Sequence, residues 1–213
     1  MKSSSSFAFL LCCVIILKFS SIKSEIIECK FNYHLEYRYD CVVKNIKLST
    51  DDNVDIKKIE GKHWRGKTDD DVEYFEISNV PDLKTFPRVI NNFFKNLTQI
   101  EIQYTNISEI TSEDLKNFSK LKVLFLNFNQ IEIIKEDTFK FNPKLEQIYL
   151  MYNKIRHIDP RTFSELKNLE ILILVGNTCL FEWADNRSNV LQVVKQIEKG
   201  FCLFDEFTTT STP

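Results

Sequence analysis

Residues 121–131 read LKVLFLNFNQI, and this pattern recurs at intervals of 24 residues. The matching segments are LTQIEIQYTNI (97–107), LEQIYLMYNKI (145–155) and LEILILVGNTC (169–179). Each is apolar at its first, fourth and sixth places, and the ninth place is Asn in all but the first, which has Thr105. Self-similarity at a fixed period predicts a solenoid, in which one supersecondary unit is repeated along an axis.

The order of residue types within the repeat explains how one coil forms. Apolar residues at the fourth and sixth places predict a short strand with one buried face. The Asn that follows can hydrogen-bond to backbone groups that a turn leaves unpaired. Later apolar columns close the coil from the convex side: Ile110, Ile134 and Ile158, then Leu115, Phe139 and Phe163. Because one coil cannot bury its own apolar face, stacked coils share a core and their strands form one parallel sheet.

Spacing and residue type together resemble the leucine-rich repeat. The resemblance implies an α/β fold: a leucine-rich-repeat solenoid shaped as a short right-handed horseshoe, with a parallel concave β-sheet. Regular repeats begin at Leu97, and Val72, Phe75 and Ile77 mark an earlier, looser coil. We therefore assign residues 72–178 to the repeats.

The ends of a solenoid expose its core, so the terminal units must differ from the repeats. The alternating segment between Cys29 and Cys41 predicts an antiparallel hairpin that covers the first coil. Val54, Ile56 and Ile59 predict one more strand, as an irregular coil or as the inner edge of this cap.

A helical cap is predicted at the other end. Val190, Val194 and Ile197 recur at helical spacing, between Ser188 as the N-cap and Gly200. The predicted organisation is a signal peptide at 1–24, an N-terminal cap at 25–71, repeats at 72–178, a C-terminal helical cap at 179–202 and a Thr-rich tail at 203–213.

The signal peptide is predicted from the order of its residues. Lys2 precedes an apolar run from Phe7 to Leu17, which is too short to span a bilayer, and small serines follow. We expect cleavage after Ser24 and secretion to the extracellular space, with no membrane anchor. A buried strand or an uncleaved anchor is the alternative.

Four cysteines follow the predicted signal peptide, an even number that indicates two disulfides in an exported chain. Parallel strands lie about 4.8 Å apart, so five or six coils separate the ends by roughly 25 Å. A disulfide requires Cα atoms within about 7 Å. Of the three possible connectivities, Cys29–Cys41 with Cys179–Cys202 is the one that satisfies this limit.

The caps carry a narrower resemblance. Cys29, Tyr39, Cys41 and Val43 fit the Cys…Tyr-x-Cys-x-Val hairpin of secreted, insect-type extracellular leucine-rich-repeat proteins with disulfide-capped ends. The G-x-H segment at Gly61 and His63, and the GN-x-C segment that ends at Cys179, are similar to the same group.

Signals for catalysis are lacking. The 28 basic and 30 acidic residues form no basic stripe, and four glycines provide no phosphate loop, so neither a nucleic acid nor a nucleotide is expected. His34, His63 and His157 are isolated, without metal-ligand spacing. The sequence therefore predicts no catalytic residue, no metal, no cofactor and no enzymatic activity.

A partner is expected on the concave sheet, where the third, fifth, seventh and eighth places face outward. The candidate partner-binding residues are Tyr104, Phe125, Phe128, Tyr149, Tyr152 and Ile173. An exposed apolar patch of this kind indicates a binding site. The alternative is that these side chains only pack between neighbouring strands.

Sequons for N-glycosylation lie outside these columns. They are found at Asn96, Asn106, Asn117 and Asn186. Sugar at these positions would leave the concave strands bare. The sequence thus favours a secreted, glycosylated recognition protein that binds an extracellular protein or surface ligand. A structural matrix protein that forms a homodimer through the concave face is the alternative, and an enzyme inhibitor is less favoured.

Overall fold

The computed structural model of this chain describes residues 25–33, 38–46 and 56–203. The predicted signal peptide, His34 and residues 204–213 of the predicted tail lie outside the described residues.

Short strands dominate the described ranges. They are β1 (Glu25–Tyr33), β2 (Tyr39–Ile46), β3 (Ile56–Glu60), β4 (Tyr74–Ser78), β5 (Gln99–Gln103), β6 (Val123–Phe125), β7 (Ile133–Ile134), β8 (Gln147–Tyr149), β9 (His157–Ile158), β10 (Ile171–Ile173) and β11 (Trp183–Ala184). The helices are α1 (Ser112–Leu115) and α2 (Arg187–Glu198), with 3₁₀ turns at Asp69–Asp71 and Arg88–Asn92. Nine strands form one sheet in the order β11-β10-β8-β6-β5-β4-β2-β1-β3, and β7 pairs with β9 in a separate parallel ladder.

The repeats stack in register, as the period of 24 residues predicts. Equivalent places of successive coils are paired in parallel, so Ile100, Leu124, Ile148 and Leu172 form one buried row. β4 joins in the same register through Phe75, which pairs with Ile100. The looser coil is therefore a true member of the solenoid, and the predicted fold class is confirmed.

The ninth-place Asn residues connect neighbouring coils from within. Asn153 donates from Nδ2 to the carbonyl oxygens of Leu126 (2.9 Å) and Leu150 (3.1 Å) and accepts at Oδ1 from the amide of Ile131 (3.1 Å). Asn177 repeats this arrangement. Asn129 makes the same two donations, to Ile102 and Leu126, but its Oδ1 accepts from the Thr105 hydroxyl. The side-chain amide thus pairs backbone groups that the turn withdraws from the sheet.

The N-terminal cap differs from its prediction in the place of β3. β1 and β2 form the expected hairpin with the Cys29–Cys41 disulfide (Cα–Cα 5.2 Å), and β2 pairs in parallel with β4. β3 pairs in parallel with β1 and is the outermost strand, so its prediction as an irregular coil or inner edge is wrong. Because β2 already lies beside β4, the free edge of β1 is the one available to β3.

The C-terminal cap contains the predicted helix and one further strand. The Cys179–Cys202 disulfide (Cα–Cα 5.1 Å) joins the last repeat to the residues that follow α2. Asn186 is the N-cap, because its side chain accepts a hydrogen bond from the amide of Asn189 (3.1 Å), and the prediction of Ser188 is wrong. The unpredicted strand β11 pairs antiparallel with β10 at the edge of the sheet.

Candidate functional site

Aromatic side chains stack across the concave sheet in two groups. The first, called the aromatic ladder, comprises Tyr104, Phe128 and Tyr152, with ring centroids 4.3 and 4.8 Å apart. The second, called the aromatic pair, comprises Phe125 and Tyr149 at 4.2 Å. Parallel strands lie about 4.8 Å apart, so identical places of adjacent coils bring rings directly to stacking distance.

The backbone of the aromatic ladder is left-handed. Tyr104, Phe128 and Tyr152 have φ of 54°, 55° and 52°, and the same eighth place holds Asn79 (φ 60°) and Gly176 (φ 78°) in the flanking coils. Each of the four non-glycine residues donates its backbone N–H to the seventh-place carbonyl of the next coil. These bonds hold the turn whatever the side chain. Asn and Gly tolerate this conformation, whereas a bulky aromatic residue there is an outlier.

The aromatic ladder is both stacked and exposed. Tyr104 and Tyr152 have 49% and 51% of their surface exposed, while Phe128 and both members of the aromatic pair are half-buried. The same residues therefore stack between neighbouring strands and present an open apolar surface, so the two interpretations of these side chains are compatible. Five of the six predicted binding residues are brought together on this face.

Ile173 is the exception among the predicted binding residues. It is 1% exposed, because β11 continues the sheet beyond β10 and pairs Trp183 with Ile173. The prediction that Ile173 offers binding surface is wrong, and Ile173 belongs to the core.

A polar cluster lies beside the aromatic pair, and sequence reasoning missed it. The Tyr74 hydroxyl lies 2.7 Å from Glu101 Oε2 and 2.9 Å from Glu76 Oε2. Burial, and then the hydrogen bond to Glu101, raise the pKa of Tyr74 far above its ordinary value. The tyrosine thus remains protonated and serves as a hydrogen-bond donor between two carboxylates. The only sequence signal was Glu101, which is the one charged residue in the fifth column of the four regular repeats.

Arg38 lies next to this cluster but pairs elsewhere. Its guanidinium Cζ is 4.4 Å from the centre of the Tyr74 ring, and its Nε is 3.3 Å from Oδ1 of the buried Asp40. It also donates to the side-chain oxygen of Gln99. Arg38 thereby fixes the end of the hairpin against the first coils.

His63, which the sequence presented as isolated, has two polar partners. Its Nδ1 is 3.1 Å from the Tyr39 hydroxyl and its Nε2 is 3.1 Å from Asp69 Oδ1, while its ring stacks on Phe31 at 3.9 Å. The Tyr39 hydroxyl also accepts from the amide of Trp64 (2.9 Å), and burial raises the pKa of Tyr39. These contacts fasten the segment after β3 to the hairpin.

The described residues also bear on other classes of function. No group of three or more His, Cys, Asp or Glu side chains within them is arranged to hold a metal ion. None of the helices in this part of the chain has the length and apolarity needed to cross a membrane.

The sequon asparagines lie away from the aromatic columns. Asn106, Asn117 and Asn186 are exposed and Asn96 is half-buried. Asn96 and Asn106 donate from Nδ2 to the carbonyl oxygens of Asp70 (2.6 Å) and Pro81 (2.8 Å) in the preceding coil. Their glycosylation stays a prediction.

In-register coils with one parallel concave sheet and an Asn at each turn define a solenoid repeat protein. The family model described as leucine rich repeat matches residues 95–154 and 119–178, and the chain folds as a leucine-rich-repeat solenoid.

Two solved structures are similar to part of this chain. The crystal structure of a TLR13–ssRNA13 complex is similar over 58% of this chain, with 23% identity and a TM-score of 0.49. The structure of the Toll–Spatzle complex of Drosophila is similar over 65% of this chain, with 19% identity and a TM-score of 0.47. The chain covers 18% of each of these two longer chains. No match is found among curated protein sequences.

Proposed function

We propose that the chain is a secreted, non-catalytic recognition protein that binds an extracellular protein or other surface ligand through its concave face. The observation that carries the proposal is the aromatic ladder, a stacked and half-exposed row of rings on a left-handed backbone. Backbone outliers of this kind concentrate at functional sites.

Energetics favour this interpretation over a purely structural ladder. A left-handed conformation costs about 1–2 kcal/mol per L-residue, so three aromatic residues cost about 3–6 kcal/mol. Stacking returns about 0.5–1.5 kcal/mol per pair, and the ladder has two pairs. The half-exposed rings of Tyr104 and Tyr152 gain only part of the free energy of full burial. Asn, as at position 79, or Gly, as at position 176, would form the same turn at lower cost.

Secretion is supported by the disulfides and the predicted signal peptide. Disulfides form and persist in oxidising compartments, and this chain has one near each end of the solenoid. The sequons fit the same route, because N-glycosylation occurs on exported chains. Sugar at the exposed sequons would lie outside the fifth and eighth columns.

The test is capture from extracellular fluid by protein made in a secretory host. The perturbing variant combines Tyr104→Asn, Phe128→Asn and Tyr152→Asn, which keeps a residue type suited to the left-handed turn. Phe141→Asn is the control, because Phe141 is 41% exposed and lies outside the concave columns. We expect wild type and the control to capture the same proteins and the triple variant to lose them. An unchanged captured set with a folded triple variant would refute the proposal.

Self-association through the same face is the second outcome to examine. Sedimentation of the purified glycoprotein distinguishes the two functions. A dimer that the triple variant converts to a monomer supports self-association, whereas a wild-type monomer supports recognition of a different molecule.

A further inference from the structure

The fifth places of successive coils form a row whose chemistry changes along the sheet. Strand register pairs Glu76 with Glu101, Glu101 with Phe125, and Phe125 with Tyr149. Each step spans about 4.8 Å, the spacing of neighbouring strands. The concave face therefore presents two adjacent carboxylates and, directly beside them, the aromatic pair.

The two carboxylates are held by neutral donors. The single hydrogen of the Tyr74 hydroxyl is shared between Glu101 and Glu76, at 2.7 and 2.9 Å. Ser78 donates to Glu76 (3.1 Å), and Gln103 donates to Glu101. These bonds orient the carboxylates without cancelling their charge.

No cation of the described residues neutralises this pair. Neither Glu76 nor Glu101 has a Lys, Arg or His within ion-pair distance in that part of the chain. The neighbouring Arg38 is paired with Asp40 and lies over the Tyr74 ring. Two negative charges on a half-buried sheet face, next to apolar rings, are complementary to a ligand that is basic at one point and apolar at the next.

We propose that the concave face binds a peptide segment whose Arg or Lys side chain reaches Glu76 and Glu101 while an aromatic or large aliphatic side chain lies on Phe125 and Tyr149. This inference rests on the proposed function and specifies the chemistry of its partner. Arg is favoured over Lys, since its planar fork bonds two carboxylates and stacks on aromatic rings.

The spacing in the ligand follows from the sheet. The centre of the carboxylate pair and the centre of the aromatic pair are two strand steps apart, or about 10 Å. An extended peptide advances about 3.3 Å per residue, and a long basic side chain adds reach. The basic and apolar side chains are therefore two to four residues apart. A phosphate-rich ligand is disfavoured, because the carboxylates would repel it.

The probe is a phage-displayed library of random twelve-residue peptides, selected on the immobilised full-length protein. The test variant combines Glu76→Gln and Glu101→Gln, which keep the shape and remove two charges. Its control combines Glu132→Gln and Glu136→Gln, which remove two exposed carboxylates that are paired with Arg156 and Arg161. Both double variants change the net charge equally.

We expect wild type and the control to enrich peptides with Arg or Lys two to four residues from Phe, Tyr, Trp or Leu. The test variant is expected to lose the preference for a basic residue and to keep the apolar one. A selected peptide should bind it about tenfold more weakly for each charge contact removed. Thermal unfolding monitors folding, and Glu101→Gln alone replaces the double variant if that variant is unstable.

The outcomes separate this inference from the proposed function. Apolar peptides without a basic residue, or a basic preference that survives in the folded test variant, overturn the inference and leave recognition by the concave face intact. Failure to enrich any peptide also overturns the inference, whereas the proposed function is refuted by an unchanged captured set from extracellular fluid with the folded triple variant Tyr104→Asn, Phe128→Asn, Tyr152→Asn.

Discussion

Replacing Gly176 with Ala adds one carbon at the place where the aromatic ladder ends. Gly176 has φ +78°, and a Cβ built on it would lie 2.5 Å from Cδ1 and 2.9 Å from Cε1 of Tyr152. Distances this short require the ring to move away from its position against Phe128. Gly66 provides the matched control, because its φ is +70° and nothing lies within 4 Å of its added Cβ. Gly66→Ala therefore reports the backbone cost alone.

The expected magnitudes follow from these two environments. Ala in the left-handed conformation costs about 1–2 kcal/mol. The lower conformational entropy of the unfolded Ala chain offsets about 0.4–1 kcal/mol of this cost. Gly66→Ala should thus lower the free energy of unfolding by about 0–1.6 kcal/mol. Gly176→Ala bears the same cost and, in addition, the overpacking against Tyr152 and the weakened stacking on Phe128, which add about 1–3 kcal/mol.

Urea denaturation of both variants measures this difference. A second pair of variants identifies its cause, because Tyr152→Asn removes the ring that the new Cβ would meet. We expect the extra cost of Gly176→Ala to vanish in the Tyr152→Asn background. If Gly176→Ala is no more destabilising than Gly66→Ala, or if its extra cost persists without the tyrosine ring, the steric reasoning is refuted.

Three further predictions concern the ends, the turns and the polar cluster. Replacing Cys179 and Cys202 with Ala should lower the free energy of unfolding by about 3 kcal/mol, since the bridge closes a loop with a sequence separation of 23, and a loss below about 1 kcal/mol in urea denaturation would contradict this. Asn153→Ala should lower the free energy of unfolding by about 2–4 kcal/mol, because it leaves buried backbone groups unpaired. Asn168→Ala is the control: it removes one exposed hydrogen bond to Pro143 and should change the free energy of unfolding by no more than about 0.5 kcal/mol. Burial raises the folded-state pKa of Tyr74, so the contribution of Tyr74 to stability is complete below the ordinary tyrosine pKa of about 10 and is lost as the pH rises above it. Tyr74→Phe should therefore reduce the decline in the free energy of unfolding between about pH 9 and 11. An unchanged slope would count against a buried hydroxyl.

The sequence predicts the parts of the fold that periodicity determines. A constant interval of 24 residues specifies which residues pair across strands, so β5, β6, β8 and β10 and the Asn contacts at the turns follow directly. The ends are harder because the pattern stops there. β11 has two residues, too few to show alternation, and yet it decides that Ile173 is buried.

The candidate site was predicted only in its apolar half. Tyr74 and Glu101 belong to different coils, and the first of these coils lacks the Asn that marks a repeat, so only the register in the structure brings them together. The left-handed backbone of the aromatic ladder could not be predicted from the sequence either, since aromatic residues are not typical of that conformation.

The 24-residue period places the residues that stabilise the fold and the residues of the binding face in different columns of the repeat. The first, fourth and sixth columns are buried and apolar in every regular repeat, whereas the fifth column changes from Glu101 to Phe125 and Tyr149 with no change in register. The bonds that hold the eighth-place turn come from the backbone, so that column is also free to vary. The last coil is the exception, because its fifth-place residue Ile173 is buried in the core and its eighth-place residue Gly176 packs against Tyr152. Substitutions at the fifth and eighth places of the middle coils should therefore alter binding with little effect on stability. A substitution at Ile173 should lower stability, and a substitution at Gly176 should alter both.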